Sequence, residues 1–162
     1  CAGEAAQLDV HDGCAATKDQ PPMDAKVLRA YWPNLVVTQM TNAAEVLVMH
    51  SYLLDKSIGR ATLYQSASQF RGADGENGQQ KRNLIGRANR LLHFRDMGWL
   101  RDQGFKTYDF GGYAANTTDP SLQHINEFKD SFGGELVEES NYASAALTLL
   151  RRVKSAFKPR KK

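Results

Sequence analysis

A chain of 162 residues is long enough for one domain with a real core and too short for two full ones. Apolar residues make up 41% and charged residues 24%, as in a soluble globular protein, and no apolar run approaches the roughly 20 residues that cross a bilayer. The net charge of +3 hides an asymmetry: seven basic side chains and no acid lie between Arg151 and Lys162, which leaves −4 on the rest.

Residues 1–22 are rich in Ala, Asp and Gln, show no period and end in Pro21-Pro22. An irregular segment is therefore expected over 1–34, with a short helix at Met23–Tyr31 stopped by Pro33. The stretch lacks the basic start and apolar centre of a signal peptide. Cys1 fits a truncated chain better than a lipid-modified terminus. With Cys14 it offers neither metal spacing nor a disulfide framework, which suits the reducing cytoplasm.

Leu35–Met40, Glu45–Leu54 and Ile58–Ser68 are runs rich in β-branched and apolar residues with short links, the pattern of a three-stranded antiparallel meander. Residues 71–80 carry three glycines and read as a loop. A long helix follows, in which Leu84, Ala88, Leu91, Leu92 and Trp99 share one face, with Arg95 interrupting the stripe and His93 on the polar side. Gly104 stops it. Lys106–Phe110 is a short strand ahead of Gly111-Gly112. Asp119-Pro120 opens a second helix marked by Leu122, Ile125 and Phe128 and closed by Gly133-Gly134. Glu135–Glu139 reads as a last strand. Ala146, Leu149, Leu150, Val153 and Phe157 then give an amphipathic, basic helix or tail over 143–162. The order is β-β-β-α-β-α-β, and the crossover makes the strands around the long helix parallel. The expected class is α/β (α+β): one core over 35–142 with a mixed central sheet and flanking helices.

Three places could carry chemistry. Asn83, Gly86, Arg87 and Ala88 fall at the expected start of the long helix, where unpaired amides, a positive dipole end and arginines can hold phosphate; a plain helix with basic flanks is the alternative. Tyr108, Asp109, Gly111 and Gly112 fall at a strand's carboxyl end, where ligands of open α/β sheets bind. Asp109 either orients an amine or ties the Gly-Gly turn. Phe128 and Lys129 form a third cluster, in which a lysine near a site could stabilise an oxyanion or remain an exposed charge. The four histidines show no metal-ligand spacing, so no metal is expected. The basic tail suits a polyanion, either nucleic acid or an anionic membrane surface, or is a solvated end.

The stretch Ile85–Phe94, then Tyr108-Asp109-Phe110-Gly111-Gly112, then Phe128-Lys129 followed by Phe132-Gly133-Gly134, resembles the C-terminal half of FemABX-type aminoacyltransferases; strands 35–68 resemble it more loosely. The resemblance implies a GNAT fold and attack of an amine on an activated carbonyl. In that family the donor is aminoacyl-tRNA and the acceptor a peptidoglycan-precursor amine. It implies that Phe128 and Lys129 lie near the reacting ester and that Tyr108, Asp109 and Gly111 line the site. FemABX proteins carry two GNAT-like halves and this chain one, which leaves the acceptor open and raises a homodimer as a way to supply the second. Asn83-x-x-Gly86-x-Ala88 is also similar to the GNAT loop that holds coenzyme A pyrophosphate, with Asn in place of its first Arg or Gln. The expected function is therefore aminoacyl or acyl transfer to an amine, from aminoacyl-tRNA or acyl-CoA as co-substrate and with no bound cofactor. Lys129 and Asp109 are the expected catalytic residues, and the basic tail a tRNA contact. The alternatives are an acetyl-CoA-dependent N-acetyltransferase and a non-catalytic GNAT-like binding module.

Overall fold

The computed structural model describes residues 31–43, 45–69, 77–140, 142 and 144–146. Expectations for the N-terminal segment, most of the glycine loop, and the basic helix and tail lie outside these. The chain divides into two compact units between Gly112 and Tyr113, a boundary inside the stretch expected to form one core.

The first unit is a mixed sheet with a helix packed on it. After a 3₁₀ turn at Trp32–Asn34 come β1 (Leu35–Asn42), β2 (Glu45–Asp55) and β3 (Arg60–Ser68), then α1 (Gly78–Asp102) and β4 (Thr107–Asp109). The sheet order is β1-β2-β3-β4; the first two pairings are antiparallel and β3–β4 is parallel. The expected meander and crossover are therefore present. The chain is mixed α+β, with four strands and two helices among the described residues.

β2 is an inner strand and carries most of the sheet's buried residues. The ladder to β1 steps from Met40↔Val48 to Thr41↔Val46, so Leu47 is an extra, bulged residue. The bulge lets consecutive side chains, Leu47 and Val48, join one cluster with Ile85, Ala88 and Leu92 of α1. A second cluster joins Tyr52, Ala61 and Leu100, with Leu54, Leu63, Phe105 and Tyr108 against it. Each fully buried aliphatic side chain here contributes about 1.5–3 kcal/mol.

The stripe that α1 buries is Ile85, Ala88, Leu92, His93, Asp96 and Leu100. The expected stripe is displaced: Leu84, Leu91 and Trp99 are exposed, and His93, expected on the polar side, is 1% exposed. Apolar periodicity pointed the wrong way because two polar residues occupy buried positions. The helix ends in a Schellman arrangement. Gly104 N–H donates to Arg101 O at 2.9 Å and Phe105 N–H to Leu100 O at 3.0 Å, while Phe105 and Leu100 share the second cluster.

In the second unit, α2 (Pro120–Asp130) opens on Asp119, whose side chain accepts from Ser121 N–H at 2.8 Å. Buried Asn126 pins the loop ahead of it, donating to Ala114 O (2.9 Å) and accepting from Ala114 N–H (3.2 Å). The strand expected at Glu135–Glu139 is absent; residues 134–140 carry no regular structure and are exposed. Two apolar residues among three acids leave no face to bury, and β-propensity alone does not make a strand.

Candidate functional site

Between α1 and the sheet lies a polar network in which the helix and three strands each place a side chain. Thr38 stands opposite His50 in the β1–β2 register, and His50 and Tyr52 share a face of β2. Asn89, His93 and Asp96 fall at i, i+4 and i+7 of α1, continuous with its buried stripe. Tyr108 stands beside Ala61 on β4.

Everything converges on Asp96, which is 3% exposed. Its Oδ2 accepts from Thr38 Oγ1 at 2.9 Å and from the Tyr52 hydroxyl at 2.6 Å, and lies 2.9 Å from His50 Nδ1. The Asn89 amide meets the far edge of the ring, 2.8 Å from Nε2. Tyr52 spends its only proton on Asp96, so the 2.8 Å bond between the two tyrosines has Tyr108 as donor. Tyr108 then accepts from His93 Nδ1 at 2.6 Å. The chain of donors runs one way: His93 to Tyr108 to Tyr52 to Asp96.

Burial sets the proton affinities. It lowers His93 to about 3, helped by the facing His50 ring at 4.0 Å and opposed by Asp96. This imidazole is neutral, as a donor to Tyr108 should be. Burial also pushes both phenols up. For Tyr52 the neighbouring Tyr108 and Asp96 add to the rise; for Tyr108 its bond to Tyr52 opposes it. Both hydroxyls keep their protons.

The segment Tyr108–Gly112 has a physical role for nearly every residue. Asp109 Oδ2 accepts from Arg60 Nη2 (2.6 Å), Arg60 Nε (3.1 Å) and Thr62 Oγ1 (3.2 Å), and Oδ1 accepts from Gly111 N–H at 2.7 Å. Burial alone would raise its carboxyl, but the Gly111 amide, Arg60 and Thr62 together hold it below the ordinary range. Phe110 packs edge-on against Tyr108, ring centres 4.9 Å apart, and lies 5.2 Å from His93. Gly111 has φ +73° and passes so close to β3 that a Cβ would sit 3.4 Å from Leu63 O. Only glycine takes that conformation without strain. Gly112 is exposed. A tethered, acid-shifted Asp109 organises the strand end; it is a poor base for an amine proton.

The expected phosphate cradle does not form where it was placed. The helix begins at Gly78, so Asn83, Gly86, Arg87 and Ala88 lie in its second and third turns. Their amides fall beyond the unpaired first turn and are committed to the helix ladder. Asn83 accepts from Gln79, Arg87 is exposed and Ala88 is 7% exposed in the core. The helix start was misjudged because apolar periodicity begins at Leu84, six residues after the first helical residue.

Phe128 and Lys129 lie in the last turn of α2, in the second unit. Phe128 packs edge-on against Phe132 at 5.3 Å, and Ser131 Oγ donates to Phe128 O at 2.6 Å. Gly133, at φ +73°, donates to Asp130 O at 2.9 Å. Much of this motif thus closes a helix.

The residues that sequence reasoning missed are Thr38, His50, Tyr52, Asn89, His93 and Asp96. Their signal was the polar i, i+4, i+7 set in phase with Ile85 and Leu100. Among the described residues no helix is long and apolar enough to cross a membrane, and no group of three or more His, Cys, Asp or Glu side chains could hold a metal ion. No protein-family model matches the chain, and no curated protein and no solved structure matches it.

Proposed function

We propose that this chain is a GNAT-type, FemABX-like acyltransferase that moves an aminoacyl or acyl group from an activated ester or thioester onto an amine. One observation carries the reading. β4 pairs with β3 only over Arg60↔Thr107, Ala61↔Tyr108 and Thr62↔Asp109, while β3 continues to Ser68. Regular pairing of the two strands thus ends at their carboxyl side, where open α/β sheets bind ligands, and the Asp109–Gly112 turn lies there. The β-β-β-α-β order and the motif at 108–112 support the same reading.

In this proposal the acceptor amine attacks the carbonyl beside Tyr108, and Asp109 keeps the turn in place rather than moving the proton. The resemblance assigns Phe128 and Lys129, in the second unit, to the donor, and the basic tail to tRNA. A cytoplasmic setting supplies aminoacyl-tRNA and acyl-CoA alike. The helix starts at Gly78, ahead of the residues on which the acyl-CoA alternative rested, which supports aminoacyl-tRNA as the donor in this proposal.

The test is thermal shift and transfer assay with charged tRNA, acetyl-CoA and desulfo-CoA. Charged tRNA should raise the Tm and yield an acylated amine. Stabilisation by the CoA compounds alone would move the reading to an N-acetyltransferase, and indifference to every donor, with no transfer, would leave a binding module. Lys129→Ala should lower transfer about 10²-fold if Lys129 stabilises the oxyanion. Cutting the chain after Ala143 should weaken tRNA binding and flatten its salt dependence.

A further inference from the structure

We propose that the Tyr108 hydroxyl takes the proton shed by the attacking amine and passes it through Tyr52 to Asp96. The inference rests on the acyltransferase reading and deepens it, naming a catalytic residue, Tyr108, and two relay residues behind it.

The chemistry requires such a group. When a neutral amine attacks an ester or thioester, the new C–N bond leaves a positive charge on nitrogen. One N–H proton must depart before the intermediate can collapse to an amide. Asp109, the acid nearest the strand end, has both oxygens engaged by Arg60, Thr62 and the Gly111 amide. Tyr108, one residue before it, is half-buried and, between His93 and Tyr52, belongs to the one-way chain of donors that ends on Asp96.

The step balances. As the amine proton reaches the Tyr108 oxygen, the proton of Tyr108 crosses 2.8 Å to Tyr52, and that of Tyr52 crosses 2.6 Å to Asp96 Oδ2. The C–O or C–S bond to the donor then breaks. The reverse shift returns a proton through Tyr108 to the departing oxygen or sulfur, and the chain is reset. Both phenols hold their protons strongly, so the shift is concerted and no phenolate forms. Thr38 and His50 remain on Asp96 and keep its oxygen aimed at Tyr52. His93 fixes the orientation of the Tyr108 hydroxyl.

The experiment compares wild type, Tyr108→Phe and Tyr52→Phe in the transfer assay, each checked for a cooperative melt. Tyr108→Phe removes one hydroxyl from a half-buried ring and should fold. Its kcat should fall about 10²–10⁴-fold with KM within about threefold of wild type. Tyr52→Phe breaks the chain one step further in and should lower kcat as well. The rate of wild type in mixed H₂O and D₂O should respond as more than one proton in flight, and that of Tyr52→Phe as one. Folded variants that both keep kcat within about threefold overturn the relay while leaving the transferase reading intact. A wild-type chain that transfers from no donor overturns the transferase reading itself, and the relay with it.

Discussion

Asp96 and Asp109 are two acids of the same unit held by opposite means. Asp96 lies inside the helix–sheet layer and is held by two hydroxyls and an imidazole from two strands. Asp109 lies at the rim, its side chain 19% exposed, and is held by a guanidinium, a hydroxyl and the amide of its own turn. The first arrangement ties separate elements together. The second ties a strand end to its neighbour and leaves water within reach. Loss of the inner acid should therefore be felt across the unit, and loss of the outer one locally.

Asp96→Ala is the largest break. It strands the Thr38 and Tyr52 hydroxyls and the His50 ring in a dry layer and should cost about 3–5 kcal/mol in urea unfolding. Asp96→Asn, which keeps the shape and one acceptor oxygen, should cost less.

The next effect is on acid stability. His93 titrates at about 3 when folded against 6.5 for the free side chain, so between those values the unfolded chain binds more protons. Its contribution is complete above pH 6.5 and is lost as pH falls toward 3, with a slope of up to about 1.4 kcal/mol per pH unit. Asp109, held low, adds its own loss only at the acid end of that range. A Tm–pH series should show the limb in wild type and a flatter one in His93→Gln; equal limbs would refute the assignment.

Asp109→Ala should cost roughly 1–2 kcal/mol, because Arg60 is 28% exposed and can turn to solvent. Lys81→Ala is the lower bound. It breaks a 2.8 Å surface pair with Glu45 and should change stability by less than about 1 kcal/mol. A cost for Asp109→Ala equal to that for Asp96→Ala would erase the distinction between rim and interior.

The meander was legible because Leu35–Ser68 supplies β-branched and apolar runs with short turns, which is local information. The crossover to Thr107–Asp109 was legible because a long helix between strands constrains their direction. The start of α1 was not, because the helix begins with Gly78-Gln79-Gln80-Lys81 and gives no apolar phase. The Asp109 turn was half legible: an acid before Gly-Gly is a local pattern, whereas its partner Arg60 is 49 residues away. The inner network was hidden because hydrophobic periodicity discards polar residues. His93 and Asp96 qualify as buried, and Asn89 as their half-buried neighbour, only when their partners on β1, β2 and β4 are known.

The parallel pairing of β4 has a kinetic consequence. The meander closes through turns a few residues long, but β4 cannot dock until the whole 25-residue α1 has been laid across the sheet. Tyr108 is thus the last hydroxyl to arrive. On that order Thr38, His50 and Tyr52 gather around Asp96 before Tyr108 joins the chain of hydroxyls. Amide exchange should open β4 ahead of β2, and substitutions at Tyr108 should speed unfolding more than they slow refolding.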